Sequence, residues 1–215
     1  MILETRAVAP FFKNGYVLGC EDTREGVVID PGDEVDLLLE AVREHGLDIE
    51  YILLTHAHLD HITGVGRAKQ ALQAPVGLHE ADEFLYRAVV QQGRAFGFEV
   101  AEQPPVDFFY DGEGPLRFGR YSVWIRHTPG HCPGGVCLEV GSQNEAGRTL
   151  FVGDTLFAGS IGRTDLPGGD SATLMRSIRN VLLTYPDDTV VHSGHGDPTT
   201  IGHERRTNPF LGPGP

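Results

Sequence analysis

The 215-residue sequence predicts an α/β sandwich, in which sheet layers are covered by helices. Apolar, β-rich runs recur in two series along the chain, and the helical stretches beside them carry their apolar residues on one side only. Four of the strand-like runs also end in a turn that delivers a His or Asp.

Taken in order, residues 2–8, 16–20 and 27–29 read as strands. Asp33 is placed to cap a helix whose Val35, Leu38, Leu39 and Val42 share a face and which ends near Gly46. The run Tyr51-Ile52-Leu53-Leu54-Thr55 reads as a buried strand, and Ile62, Val65, Ala68 and Leu72 mark a helix that begins immediately after His61. A strand near 76–78 precedes a helix from about 80 to 92 with Phe84, Leu85, Ala88 and Val89 facing inward. Residues 93–105, with Phe96, Phe98 and a Pro pair, lack periodicity and read either as a lid or substrate-recognition loop or as a plain connector. Strands dominate from 108 to 152, and one strong helix follows over 171–184 with Leu174, Ile178, Val181 and Leu182 aligned. Nothing asks for a second domain, so the chain reads as one domain over 1–215.

The chemistry is concentrated in Thr55-His56-Ala57-His58-Leu59-Asp60-His61 and in His131, Asp154 and His195. His residues at i and i+2 can face one ion from a loop, whereas a helix would need the i, i+4 spacing. Imidazole nitrogens with carboxylate oxygens suit zinc, iron or manganese, and three protein ligands leave a position open for water or substrate. His56, His58 and His131 are assigned to one ion, Asp60, His61 and His195 to a second, and Asp154 to the bridge between them. Each later ligand follows a short apolar run and a glycine: Thr128-Pro129-Gly130-His131, Gly153-Asp154 and Ser193-Gly194-His195. The absence of a thiolate from the set points to an open, reactive centre rather than a closed structural zinc knot.

Other residues carry two readings. His45, His79, His192 and His203 read as packed or solvated side chains. His127 is either an ordinary histidine or one that holds a ligand or loop, and Asp30 is either a support for a ligand or a turn-forming Asp. Cys132 either lines the site or is a small buried residue beside a turn.

Seventeen basic against thirty acidic residues give a net charge of −13. That surface repels phosphate backbones and offers no basic run, which excludes nucleic acid as the expected partner. No apolar run approaches a membrane span, the start lacks a secretory pattern, and three unpaired cysteines suit a reducing compartment, so a cytoplasmic location is expected. The oligomeric state is left open.

Thr55-His56-Ala57-His58-Leu59-Asp60-His61, with His131, Asp154 and His195, resembles the HxHxDH signature and later ligands of the metallo-β-lactamase superfamily. The stretch from about Asp30 to Leu211 is similar to the short glyoxalase II-like hydrolases, notably Ser193-Gly194-His195-Gly196-Asp197-Pro198 and the ending Asn208-Pro209-Phe210-Leu211. The resemblance implies an αββα sandwich with a dinuclear site, two zinc ions most simply, with iron or manganese as alternatives. It also implies hydrolysis of S-D-lactoylglutathione or related acyl thioesters by a hydroxide held between two cations, with Asp60 and Asp154 as catalytic residues. The C-terminal helical domain of classical glyoxalase II, which contributes glutathione contacts, is not expected here. Arg163 matches the family's basic residue and is the candidate for a substrate carboxylate, against a structural salt bridge. The family's tyrosines are replaced by Asp165 and Asp197. Asp60-His61-Ile62-Thr63-Gly64 and Gly162-Arg163-Thr164-Asp165 resemble the persulfide dioxygenase branch, which implies instead a single iron on His56, His131 and Asp154. A metal-binding protein without turnover is the third reading.

Overall fold

The computed structural model describes residues 1–112, 114–142 and 147–212. The strand-rich stretch expected over 108–152 therefore includes residues 113 and 143–146, which lie outside the described residues, as does the end of the expected domain at 213–215.

Strands buried on both faces need cover on both faces, and the chain supplies it in four layers. The first sheet runs Ile2–Arg6, Gly15–Gly19, Glu25–Ile29, Asp48–Leu53, Val76–Leu78 and Phe108–Phe109 in spatial order. Its first three strands are antiparallel and the rest join in parallel, so the parallel links must cross over through helices such as Val35–His45 and Val65–Leu72. The second sheet runs Thr199–Thr200, Val190–His192, Thr149–Phe151, Val136–Ser142, Tyr121–His127 and Leu116–Phe118. Within it Thr149–Phe151 and Val190–His192 are parallel, with helix Ser171–Asn180 on the chain between them.

Side chains alternate between layers with the period of the strand. Tyr16, Leu18, Val27, Ile29 and Leu53 point from the first sheet into the space between sheets, where they meet Phe118, Val123, Leu138 and Phe151 of the second. Their neighbours Val17, Val28, Ile52 and Leu54 face the helices on the outside of the first sheet. Cys137, Leu150 and Val191 face helix Ser171–Asn180 on the outside of the second. The result is an αββα sandwich, as expected. No helix among the described residues is long and apolar enough to cross a membrane.

Several local expectations are corrected. Asp33 does not cap the first helix: its carboxylate accepts from Thr63 Oγ1 at 2.6 Å, and Glu34 occupies the N-cap without a side-chain capping bond. The helix expected over 80–92 is broken into a 3-10 turn at Glu80–Asp82 and helices Glu83–Arg87 and Val89–Phe96. The Leu85 carbonyl, which a continuous helix would give to Val89, accepts instead from Ala88 N and Gln92 Nε2. Phe84, expected inside, is 50% exposed. The helix from 171 stops at Asn180 and tightens into a 3-10 turn at Leu182–Thr184, with Pro186 beyond to bar continuation. The helix after the His-rich run comes as two, Leu59–Ile62 and Val65–Leu72, the first of which includes His61. The first strand ends at Arg6, and the segment expected as a loop over 93–105 is helical as far as Phe96.

Candidate metal centre

Strand Asp48–Leu53 ends three residues before His56, and His58 follows in extended conformation. The four-residue helix Leu59–Ile62 then turns Asp60 and His61 back toward the strand end. The other candidates come from the second sheet. Thr149–Phe151 and Val190–His192 are parallel neighbours, so the turns after them lie side by side, and Gly194 N donates to Gly153 O at 2.8 Å. That places Asp154 beside His195. Gly194 has no room for a side chain, because a Cβ there would overlap Asp154 Oδ1 and crowd the His61 ring.

All seven sequence-predicted metal residues are brought together. His56, His58 and His131 form one group, His56, His61 and Asp154 a second, and Asp60, His61 and His195 a third, with the potential ligand atoms of each group within 4.8 Å of one another. Asp154 lies between them: Oδ1 is 3.4 Å from His61 Nε2, while Oδ2 is 3.7 Å from His131 Nε2 and 3.5 Å from His195 Nε2. Asp60 Oδ2 stands 3.1 Å from His195 Nε2.

The donor set fits divalent cations on evidence internal to the cluster. His56 Nε2, His58 Nε2, His61 Nε2 and Asp154 Oδ1 are buried with no hydrogen-bond partner among the described residues. One such atom left unsatisfied costs roughly 1–3 kcal/mol, so four in one place imply a charge that satisfies them. On His56, His61 and His131 the Nδ1 nitrogen is held from behind, whereas His58 Nδ1 faces His131 Nε2 at 2.7 Å. His61 Nδ1 donates to Asp30 Oδ2 at 2.9 Å, His131 Nδ1 donates to Arg163 O at 2.7 Å, and His56 Nδ1 lies 3.1 Å from Thr55 Oγ1, whose hydroxyl donates to Asp30 Oδ2 at 2.6 Å. Such outer partners fix the tautomer and aim of a ligating imidazole.

Charge divides the cluster. Burial, with neighbouring imidazoles adding to it, holds His56 well below the usual imidazole range and His58 down at about 3. Burial acts the same way on His61, but Asp60, Asp30 and Asp154 outweigh it and raise that group to about 10. Burial would raise the Asp154 and Asp60 carboxyls, yet the facing histidines hold both below the ordinary range. His195 is raised by Asp60 and Asp154 against the effect of its own burial.

The residues with two readings now separate. Asp30 supports the loop of candidate ligands, accepting also from Thr55 N at 2.7 Å. His127 holds the loop of His131 through Pro133 O at 2.8 Å and stacks on His79 at 4.1 Å. Cys132 is a buried residue whose thiol donates to Asp82 Oδ2. Arg163 makes two 2.7 Å bonds to Asp165 and borders the site. His45 pairs with Glu4, His192 stacks on Phe151, and His203 is exposed.

Sequence reasoning missed three supports. Asp82, fully buried, accepts from Ala57 N, Gly134 N and Cys132 Sγ, and so ties the loop of His56 and His58 to that of His131. Lys13, also buried, donates to Asp30 O and to Glu34 Oε1, which in turn accepts from Gly32 N at 2.9 Å. Asn14 Nδ2 donates to Ser193 O and Gly196 O on either side of His195. No local signal marks any of them, because each acts across the fold.

Over 213 residues the chain is 38% identical to the hydroxyacylglutathione hydrolase GloC of Haemophilus influenzae, covering 98% of both chains. Among solved structures it is similar to the BLEG-1 B3 metallo-beta-lactamase at 40% identity and a TM-score of 0.87, covering 98% of this chain and 99% of that one. TTHA1623, solved in a di-iron-bound form, matches at 41% identity and a TM-score of 0.82, covering 97% and 100%. ETHE1 from Myxococcus xanthus matches at 29% identity and a TM-score of 0.76, covering 98% and 84%. The fold family implies a divalent metal site, in agreement with the unsatisfied donors of the cluster. A model of the metallo-beta-lactamase superfamily matches residues 8–195, a span that reaches the last histidine of the cluster, and the chain belongs to that superfamily of metal-dependent hydrolases.

Proposed function

We propose that this protein is a thioester hydrolase of the glyoxalase II type, acting on S-D-lactoylglutathione or a related acyl thioester with two zinc ions. The observation that carries the reading is the position of Asp154, whose two carboxylate oxygens face the histidines of both groups. His56, His58 and His131 would hold one ion, Asp60, His61 and His195 the other, and Asp154 would bridge. A bound divalent ion supplies Lewis acidity, polarising a carbonyl and lowering the pKa of water to about 7.

The remaining work falls to the chain itself. Asp60, kept ionised by His61 and His195, accepts a hydrogen bond from the attacking water and orients it. The water oxygen bonds to the carbonyl carbon, the C–S bond breaks, and sulfur leaves with the bonding pair. One water proton ends on that sulfur and the other is released, giving a carboxylate and a free thiol. A thiol pKa near 8.5 makes sulfur a good leaving group without a dedicated acid. Arg163 is the proposed contact for a substrate carboxylate, reached by exchange with its exposed partner Asp165. Cys20, Cys132 and Cys137 are free thiols, which supports a cytoplasmic setting.

Persulfide oxidation at one iron is the second reading, favoured by the likeness to ETHE1 and by the approach of His131 to Asp154 beside His56. One preparation, loaded separately with zinc and iron and assayed on S-D-lactoylglutathione and on glutathione persulfide, separates the two. Free thiol should appear from the first substrate with little oxygen consumed on the second, and His195→Ala should abolish hydrolysis. Oxygen uptake that survives His195→Ala, with no thioesterase activity in the wild type, would reverse the assignment.

A further inference from the structure

Two cavities meet over the cluster, and Asp154, Arg163 and His195 line both. The smaller, of about 210 Å³, has an apolar wall of Phe11, Leu59, Phe96 and Leu166. The larger, of about 660 Å³, is bordered by Phe157, Ala158 and Ile161 on its apolar side and by Asp197.

The phenylalanine wall is built from two segments remote in sequence that brace each other. Phe11 packs on Phe98 with ring centroids 5.2 Å apart, and Phe96 lies just before it at the end of helix Val89–Phe96. Each segment is tied to a metal-ligand loop. Lys13 forms a β-bridge with His195, and Asn14 N donates to Gly194 O at 2.7 Å. On the other side Gln92 donates to Ala57 O and accepts from Leu59 N, gripping the loop that carries His58. The wall is therefore registered to the reacting centre.

A glutathione thioester brings two carboxylates on its thiol arm. Among the described residues lining either cavity, Arg163 is the one with a permanent positive charge, and it is already paired through two bonds with Asp165. Whichever cavity receives the thiol arm, a second carboxylate meets no permanently charged cation of the chain. An apolar thiol instead finds the exposed faces of Phe11 and Phe96.

We infer that the substrates of this site are thioesters of apolar or aromatic thiols, and that Phe11 and Phe96 set this preference over the doubly carboxylated glutathione. The inference rests on the thioester-hydrolase reading above. Its test compares the D-lactoyl thioesters of glutathione and of benzyl mercaptan on the zinc-loaded protein. The benzyl ester should have the higher kcat/KM by about tenfold, the scale of one buried ring face. Phe96→Ala should shrink that ratio several-fold, mainly through KM for the benzyl ester, and Phe96→Arg should move it toward glutathione. Phe96 is 47% exposed, so both variants should melt like the wild type. A higher kcat/KM for the glutathione ester, or a ratio that neither substitution moves, overturns the inference and leaves the hydrolase reading standing. Failure of the zinc-loaded wild type to cleave either ester overturns both.

Discussion

Asp30 shows how much of the centre depends on one side chain that touches no substrate. It adopts a left-handed backbone conformation, φ 49°, and its carboxylate accepts from Thr55 N, Thr55 Oγ1 and His61 Nδ1. Through Thr55 it also reaches His56, so two candidate ligands on different sides of Asp154 take their aim from the same group. Asp30→Asn keeps the size but places an amide where only acceptors are wanted, so one of these three donors must lose its partner. We expect metal affinity to fall about 10- to 100-fold, measured by competition with a chelator of known affinity, with a smaller loss of thermal stability in the metal-free protein. Unchanged affinity would reduce Asp30 to a turn residue.

Between elements the decisive contact is Asp82, which stands at the 3-10 turn before helix Glu83–Arg87 and clamps two candidate-ligand loops across 25 and 52 residues of sequence. Asp82→Ala leaves the amides of Ala57 and Gly134 buried and unpaired and frees the Cys132 thiol. The expected result is faster metal loss from the His56, His58 and His131 group and faster labelling of Cys132 by a thiol reagent, both read on the same sample during dialysis. The contrast with the candidate ligands explains what was legible in the sequence. His56 to His61 could be read because their spacing is local and follows a strand, and Asp154 and His195 because each follows a strand end and a glycine. Asp82, Lys13 and Asn14 could not, since a carboxylate in a helical turn or a lysine before Asn-Gly looks solvated until the tertiary fold buries it. The break at Ala88 was hidden for a similar reason: the apolar spacing of Leu85 and Val89 suits one helix, and the Leu85 carbonyl is instead taken by Ala88 N and by Gln92, whose side chain also holds the loop of His58.

At the scale of the whole molecule, the two sheets close on each other through an apolar layer that packs a histidine ring beside the centre. His192 lies on Phe151, with ring centroids 4.9 Å apart and planes 14° from parallel, and meets Tyr16 of the opposite sheet edge to face at 5.8 Å. Burial between the layers pushes its pKa down to about 4 from the ordinary 6.5. Above pH 6.5 the ring is neutral in both folded and unfolded chains and contributes no pH dependence. As pH falls from 6.5 toward 4 the unfolded chain takes up a proton that the folded one excludes, so stability declines by up to about 1.4 kcal/mol per pH unit and levels off below 4. His192→Phe keeps the stack and removes the titration. In metal-free protein, where ligand release does not intervene, the variant should match the wild type in its pH dependence above 6.5 and lose less stability by pH 4, by on the order of 2–3 kcal/mol, in denaturant melts taken at each pH. Parallel stability curves for the two proteins between pH 6.5 and 4 would show that His192 is charged within the fold, and that the layer between the sheets admits water at this edge.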